Sequence, residues 1–373
     1  MEQTIYMNNA ATSWPKPDCV VQAVAEALRQ RPGSAHRGGI DDVDIFDETR
    51  KALARRMGVA CYECIALGPN ATWGLNMAIQ GVALSAGAVV VTSTAEHNSV
   101  LRPLYNLARE QKIRLVFVEA DGCGRIPVSA WAEAVAVNQP ELCVFTHASN
   151  VTGAVNDAPE LTRLAKAGGA IVLMDAAQTL GCIPVRAEEW GLDFVAFTGH
   201  KYLLGPQGTG GLYVRPGLSH LPVLYGGTGV QSDLEGMPED MPLRLEAGTG
   251  NEPACYGLLA ALRWAEENPL DLHGLSQMTE QLKTGLAEAG ATVIAPIGEC
   301  TPVVSFNIAS KTADEVGYVL SESYDIICRN GLHCAPRIFK SLGCRSSVRL
   351  SISRFTTEEE IDAAIDAVSD LAR

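Results

Sequence analysis

Positive charge is what this 373-residue sequence has little of: 29 lysines and arginines stand against 43 aspartates and glutamates, a net charge of −14. So acidic a chain offers no broad basic face to nucleic acid or an anionic membrane, because binding phosphate arrays needs clustered cations. Long apolar runs are missing too. No run reaches the roughly 18 residues that span a bilayer, although apolar residues make up 47% of the chain. The opening Met1-Glu2-Gln3-Thr4 lacks the basic-then-apolar pattern of a secretory leader. Internal repeats and low-complexity segments are absent.

Cysteine is plentiful, but paired cysteine spacing is scarce. Eleven cysteines are scattered, mostly in apolar runs such as Leu142-Cys143-Val144, where a reduced thiol behaves as a small hydrophobe. Cys61 and Cys64 form one C-x-x-C pair with no second pair at metal-binding spacing, so no metal site is expected. A reducing, cytoplasmic setting fits this usage. The apolar content, with 19% charged residues, describes a well-buried globular chain. Its length predicts two domains. We expect a large domain over 15–255 and a small one over 256–373, with the segment 1–14 packing near the functional site.

From Cys64 to Val214 short apolar runs alternate with helical stretches. The strands expected are Cys64–Leu67, Ala88–Thr92, Arg114–Val118, Leu142–Thr146, Ile171–Met174, Phe194–Phe197 and Gly211–Val214. Helices are expected between them at Thr72–Gln80, Leu101–Gln111, Ser129–Val137 and Leu161–Lys166. Such alternation predicts an α/β fold with a mainly parallel seven-stranded sheet covered on both faces. A smaller α+β part follows, with strands at Val303–Ile308 and Ser347–Ile352. Its helices Ala313–Ser323 and Glu358–Leu371 each open on a Thr-x-x-Glu capping box.

Ligands on parallel sheets bind beyond the carboxyl ends of the strands, and those ends are polar here. They carry Gly68-Pro69-Asn70-Ala71-Thr72, Glu96-His97-Asn98-Ser99, His147-Ala148-Ser149-Asn150, Asp175-Ala176-Ala177-Gln178 and Thr198-Gly199-His200-Lys201. Lys201 sits in a turn rich in Gly and Pro (Gly205, Pro206, Gly208, Gly210, Gly211). The turn by itself suits either a surface lysine or a lysine that forms an imine with a carbonyl cofactor. The company favours the second reading, with pyridoxal phosphate as the cofactor. Asp175 can face the pyridine nitrogen or merely cap a helix. Gln178 can reach the ring hydroxyl, and Thr72, Thr198 and His200 can hold phosphate oxygens. His97 can stack on the ring and move a proton, though a histidine after a strand is also a common structural device.

These motifs, with Thr146-His147-Ala148-Ser149-Asn150-Val151-Thr152-Gly153, Ala247-Gly248-Thr249 and Arg329-Asn330-Gly331-Leu332-His333-Cys334-Ala335, carry a resemblance. The chain resembles the fold-type I pyridoxal-phosphate enzymes of the class V aminotransferase group, and more narrowly the group II cysteine desulfurases and selenocysteine lyases. The resemblance spans nearly the whole chain. It implies pyridoxal 5'-phosphate on Lys201, stacked on His97, with Asp175 and Gln178 on the ring and Thr72, Thr198 and His200 on the phosphate. It implies a homodimer in which Thr249 reaches the partner's phosphate. Asn150 and Arg349 match the positions that bind the substrate carboxylate, for which a guanidinium is a natural clamp. Arg37, in the loop Ser34-Ala35-His36-Arg37-Gly38-Gly39, can also touch substrate.

Cys334 separates the readings within the group. A desulfurase needs a thiol there to accept sulfur as a persulfide, releasing alanine from L-cysteine. Cationic neighbours such as Arg329 and Arg337 favour a thiolate, although by itself Cys334 is one thiol among eleven. The alternatives are a selenocysteine lyase acting on L-selenocysteine, or a class V aminotransferase or β-lyase without persulfide chemistry. An acceptor protein for the sulfur or selenium is implied by the first two. The chain departs from the family pattern in having Asn98 where relatives often carry a second histidine, and Gly250 where proline is usual.

Overall fold

The computed structural model describes residues 4–31, 44–110, 112–296 and 298–373. The loop with Arg37 lies outside the described residues. The chain opens with a short strand β1 (Ile5–Tyr6) and helices α1 (Asp18–Arg29) and α2 (Ile45–Met57). Asp44 caps α2 by accepting from the N–H groups of Phe46 and Asp47, and Gly58 ends it at φ 63°, a left-handed conformation that suits glycine.

Alternating elements follow: β2 (Ile65–Gly68), α3 (Ala71–Gly81), β3 (Ala88–Ser93), α4 (Asn98–Arg109), β4 (Ile113–Val118) and α5 (Val128–Asn138). The series continues with β5 (Leu142–Thr146), α6 (Ala158–Ala167), β6 (Ile171–Asp175), β7 (Phe194–Thr198) and β8 (Gly210–Val214). The seven strands β2–β8 form one sheet in the order β2-β8-β7-β6-β5-β3-β4. Pairing is parallel from β7 through β4, and β8 is antiparallel to both its neighbours. Each expected strand is present, with ends within one residue.

Side-chain alternation explains why these strands read as unbroken apolar runs. Cys143 and Phe145, Val172 and Met174, Val195 and Phe197 point to one face, against Trp131, Leu161 and Leu53. Leu142 and Val144, Leu173, Phe194 and Ala196 point to the other, against Leu75, Val100 and Leu104. Both faces are buried, so the period of two disappears from the hydrophobic pattern.

Helix α7 (Glu252–Glu267) packs on α1 and α2, and its Leu258, Leu259 and Leu262 join the first of these cores. The remaining elements are α8 (Leu272–Glu288), β9 (Thr292–Ile294), β10 (Val303–Asn307), α9 (Ala313–Tyr324), β11 (Ile326–Ile327), β12 (Arg329–Gly331), α10 (Ile338–Ser341), β13 (Ser347–Ser351) and α11 (Glu358–Ala372). Their antiparallel sheet runs β12-β13-β10-β9. Thr312/Glu315 and Thr357/Glu360 form the two expected capping boxes. Helix α8 and strands β9, β11 and β12 are additions to the sequence reading. The N-terminal strand β1 pairs in parallel with β11, which carries the first residues of the chain to β13, where Asn9 Nδ2 donates to the Ser351 carbonyl at 2.9 Å.

Candidate active site

Strand register builds the floor of the site. Thr146 at the end of β5 lies opposite Asp175 at the end of β6, and Asp175 lies opposite Ala196 on β7. The residues that follow these strands therefore emerge side by side at one rim. A cavity of 280 Å³ opens there. Asp175, Gln178, Asn150, Thr198, His200, Lys201, Thr72 and His97 all line it. The rule for ligand sites on parallel sheets thus locates the pocket from sequence alone.

One close approach brings α3 to the rim. A Cβ on Gly74 would meet the Gly211 carbonyl oxygen at 2.5 Å, so helix and strand touch backbone to backbone. The helix N-terminus then points at the cavity. Asn70 caps it, its Oδ1 accepting the Trp73 N–H at 3.0 Å. The N–H groups of Ala71 and Thr72 precede the first intrahelical bond and face outward from the turn. The Thr72 hydroxyl meets the Ser99 hydroxyl at 2.7 Å.

The Lys201 turn is pinned through its backbone. Gly199 N–H donates to Thr209 O, Gly205 N–H to Gly199 O and Leu204 N–H to Lys201 O, each at 2.8 Å. Burial pulls the Lys201 ammonium down to about 8; Arg349 and Arg329 push the same way, while Asp175 and Cys334 oppose them. Burial also pushes the Asp175 carboxyl up, and the Ala177 N–H at 2.9 Å and the Lys201 ammonium pull it back. Gln178 Nε2 donates to the Ala10 carbonyl at 3.0 Å, leaving its buried Oε1 without a partner.

His97 is the N-cap of α4. Its Nδ1 accepts the Ser99 N–H at 3.0 Å, which puts the ring proton on Nε2. Burial, reinforced by Lys201, Arg329 and Arg349, pulls the imidazole down to about 3, so the ring is neutral at physiological pH. Just before it, Glu96 is fully buried; its Oε1 accepts from the Ser93 hydroxyl at 2.5 Å and the Thr146 N–H at 3.1 Å. Burial lifts this carboxyl to about 8.

The small sheet supplies the opposite wall. Arg329, which the sequence singled out only as a neighbour of Cys334, lines the cavity and donates from Nη2 to Cys334 Sγ at 2.9 Å. Cys334 itself is half-buried. His333 and Cys334 take φ values of 49° and 60°, a left-handed pair without glycine. Three contacts hold that strained turn: Asn98 N–H to Cys334 O at 2.7 Å, Asn150 Nδ2 to His333 O at 2.6 Å, and Ala335 N–H to Leu332 O at 2.9 Å.

Arg349 is fully buried behind Asn150. Its Nη1 donates to the Asn150 carbonyl at 2.8 Å and its Nη2 to Asn8 Oδ1 at 3.0 Å, and its Nε has no partner. Thr249 lies elsewhere, in the wall of a second cavity of 360 Å³ with Gly208, Glu246 and Asn251. Arg37 falls outside the described residues. Sequence reasoning placed Arg329 beside Cys334 but not in the cavity lining, and it gave no role to Glu96 or Asn8. Glu96 carried a visible signal, a carboxylate beside His97 at the end of an apolar strand. Asn8 carried none beyond its place in the N-terminal segment.

Residues 5–364 match the family Aminotransferase class-V. The chain belongs to the class V aminotransferase family. Like other class V proteins it is a fold-type I enzyme, and pyridoxal 5'-phosphate is its cofactor. A probable cysteine desulfurase from Pyrococcus abyssi is 31% identical over 100% of this chain and 95% of its own length. An apo cysteine desulfurase from Thermococcus onnurineus NA1 superposes with a TM-score of 0.91 at 30% identity, covering 99% of this chain and 94% of that one. An S-sulfonic acid form of an Escherichia coli cysteine desulfurase gives a TM-score of 0.86 at 27% identity, again over 99% and 94%.

The donor set fits this class V cofactor. The buried Gln178 Oε1 and His200 Nδ1 have no protein partner, and Asp175 offers a carboxylate in the same cavity. The N–H groups of Ala71 and Thr72, which precede the first intrahelical bond of α3, complete a set matched to a ring, a hydroxyl and a phosphate.

Proposed function

We propose that this protein is a pyridoxal-phosphate-dependent cysteine desulfurase, which takes sulfur from L-cysteine onto Cys334 and releases alanine. The observation that carries the reading is the 2.9 Å contact between Cys334 Sγ and Nη2 of Arg329, which lines the Lys201 cavity. That contact holds the Cys334 sulfur beside a cation that lines the site.

The cofactor, when bound, supplies an electron sink for the charge that develops at the substrate Cα. Asp175 would hold its ring nitrogen, Gln178 its hydroxyl, and Thr72, Thr198, His200 and the first turn of α3 its phosphate. His97 would hold the ring from one side, with its Nε2–H as a proton donor there. Lys201 Nζ would hold the cofactor and would serve as the base for the substrate Cα proton; burial suits it to that role by keeping a usable neutral fraction near pH 8.

Arg349 clamps the substrate carboxylate with Asn150. Its unpaired buried Nε–H is a donor that an incoming carboxylate satisfies. Cys334 Sγ attacks the substrate sulfur, so an S–S bond forms as the Cβ–S bond breaks. The bonding pair stays with carbon, and protonation yields alanine. Thr249 reaches the partner's phosphate in a homodimer, and an acceptor protein removes the persulfide sulfur.

Cys334→Ala tests this reading. Alanine formation from cysteine should fall by roughly a hundredfold or more, with the visible absorbance of the bound cofactor retained. Undiminished alanine formation would point instead to a β-lyase or transaminase on the same scaffold. Selenocysteine is the weaker probe, because selenium leaves more easily than sulfur and its release can survive the loss of the thiol in a desulfurase too.

A further inference from the structure

The His200 carbonyl, one peptide bond before Lys201, receives four donors from the N-terminal segment. Lys16 Nζ lies 2.9 Å from it, Ser13 N–H 3.0 Å, Thr12 Oγ1 3.1 Å and Ser13 Oγ 3.2 Å. A carbonyl oxygen has two lone pairs, so these contacts compete, and the charged donor makes the strongest of them. Lys16 also donates to Ser13 Oγ at 2.7 Å, orienting that hydroxyl toward the same oxygen.

Lys16 is an unusual choice of donor. Its side chain is half-buried, burial alone pulls its ammonium down to about 8, and no carboxylate among the described residues pairs with it. Holding a poorly hydrated cation without a counter-ion is unfavourable. A neutral donor would satisfy the carbonyl at less expense. The same segment touches two other groups of the site: Asn8 Oδ1 receives Arg349 Nη2, and the Ala10 carbonyl receives Gln178 Nε2. Residues 8–16 therefore bridge the guanidinium, the amide and the lysine turn.

We propose that Lys16 is a positioning residue for Lys201: through the His200 carbonyl its ammonium fixes the peptide plane from which the Lys201 side chain enters the cavity. This rests on the reading of Lys201 as the cofactor-binding amine. The ammonium also polarises the His200–Lys201 peptide group, which stiffens the turn that Gly199, Leu204 and Gly205 close. Thr12 and Ser13 supply the neutral part of the same clamp.

The experiment compares Lys16→Met, Lys16→Gln and Lys16→Arg in the full chain, with and without added pyridoxal phosphate. Two quantities are read: pyridoxal phosphate affinity by titration, and the rate at which an amine-selective acylating reagent labels Lys201 in cofactor-free protein, by peptide mass spectrometry. Lys16→Met should bind the cofactor about tenfold more weakly and label Lys201 several-fold faster, as the freed turn exposes it. Lys16→Gln should lie between, and Lys16→Arg should restore wild-type values. If Lys16→Met does not fold, the Gln and Arg variants decide. Wild-type labelling and affinity in Lys16→Gln would overturn the proposal. Failure of wild-type protein to take up the cofactor on Lys201 would instead overturn the function proposed above, and the labelling rates would still decide the role of Lys16.

Discussion

Arg329 and Arg349 face each other across β12 and β13 as register partners. Like charges directly opposite in a sheet repel, and the strain shows in Arg349, which burial and then Arg329 pull down to about 9. Each guanidinium is turned to a different task. Arg329 faces the cavity and the Cys334 sulfur, and Arg349 lies behind Asn150. Arg329 lines the cavity and Arg349 is buried behind it, so positive charge gathers on this side, which suits an anionic substrate.

The two arginines should therefore fail in different ways. Arg349→Lys keeps the charge and loses the fork, so KM for cysteine should rise roughly tenfold or more with a smaller change in kcat. Arg329→Gln should lower kcat more than it raises KM, because it removes the contact to Cys334. Steady-state kinetics on both variants checks this, and identical KM and kcat effects would show that the roles are not separate.

The amine of Lys201 should titrate early. In cofactor-free protein its labelling by an amine reagent should reach half-maximum near pH 8, against 10.5 for an ordinary lysine. The sign follows from the neighbours. Asp175→Asn removes a carboxylate that favours the ammonium, so the midpoint should fall further. Arg329→Gln removes a repelling cation, so it should rise. A wild-type midpoint near 10.5 would contradict the buried environment described above.

Glu96 should make the protein less stable toward alkaline pH. Its folded carboxyl titrates near 8 against 4.5 when free, so between those values the unfolded chain has lost a proton that the folded chain retains. Stability from this group is present below about 4.5 and declines as pH rises through about 8. Glu96→Gln keeps the acceptor for the Thr146 N–H and abolishes the titration. Melting curves across that range should show a flatter pH dependence in the variant.

Gly74→Ala tests how α3 is held. The added Cβ would meet the Gly211 carbonyl at 2.5 Å, and relieving that clash should destabilise the fold by about 1–3 kcal/mol. Because the helix must shift its N-terminus away from the cavity, pyridoxal phosphate affinity should fall with it. Denaturant melts and cofactor titration measure the two effects together. Unchanged affinity in a destabilised variant would show that the phosphate end does not depend on this contact.

The sheet was legible because its strands are buried on both faces. Leu142–Thr146 and Phe194–Thr198 read as continuous apolar runs, and polar residues mark where each one stops. Helix Leu272–Glu288 was not legible, for an equally physical reason. Its buried stripe of Leu275, Thr279, Leu282, Lys283 and Leu286 includes two polar residues. Thr279 bonds back to Leu275 O and Lys283 reaches Glu280, so neither needs to be apolar. Strands β11 and β12 are two and three residues long and carry no period to detect.

The amino-acid sequence alone determined the alternating architecture, the strand ends and the cluster Asp175, Gln178, His97 and Lys201, because local hydrophobic patterning and strand-end chemistry are written in consecutive residues. Tertiary structure alone decided that Arg329 faces the cavity, that Arg349 is buried against Asn8 and Asn150, and that Lys16 reaches the carbonyl before Lys201. These contacts join residues up to 341 positions apart, and their geometry follows from strand register and packing, which no local stretch of the chain specifies.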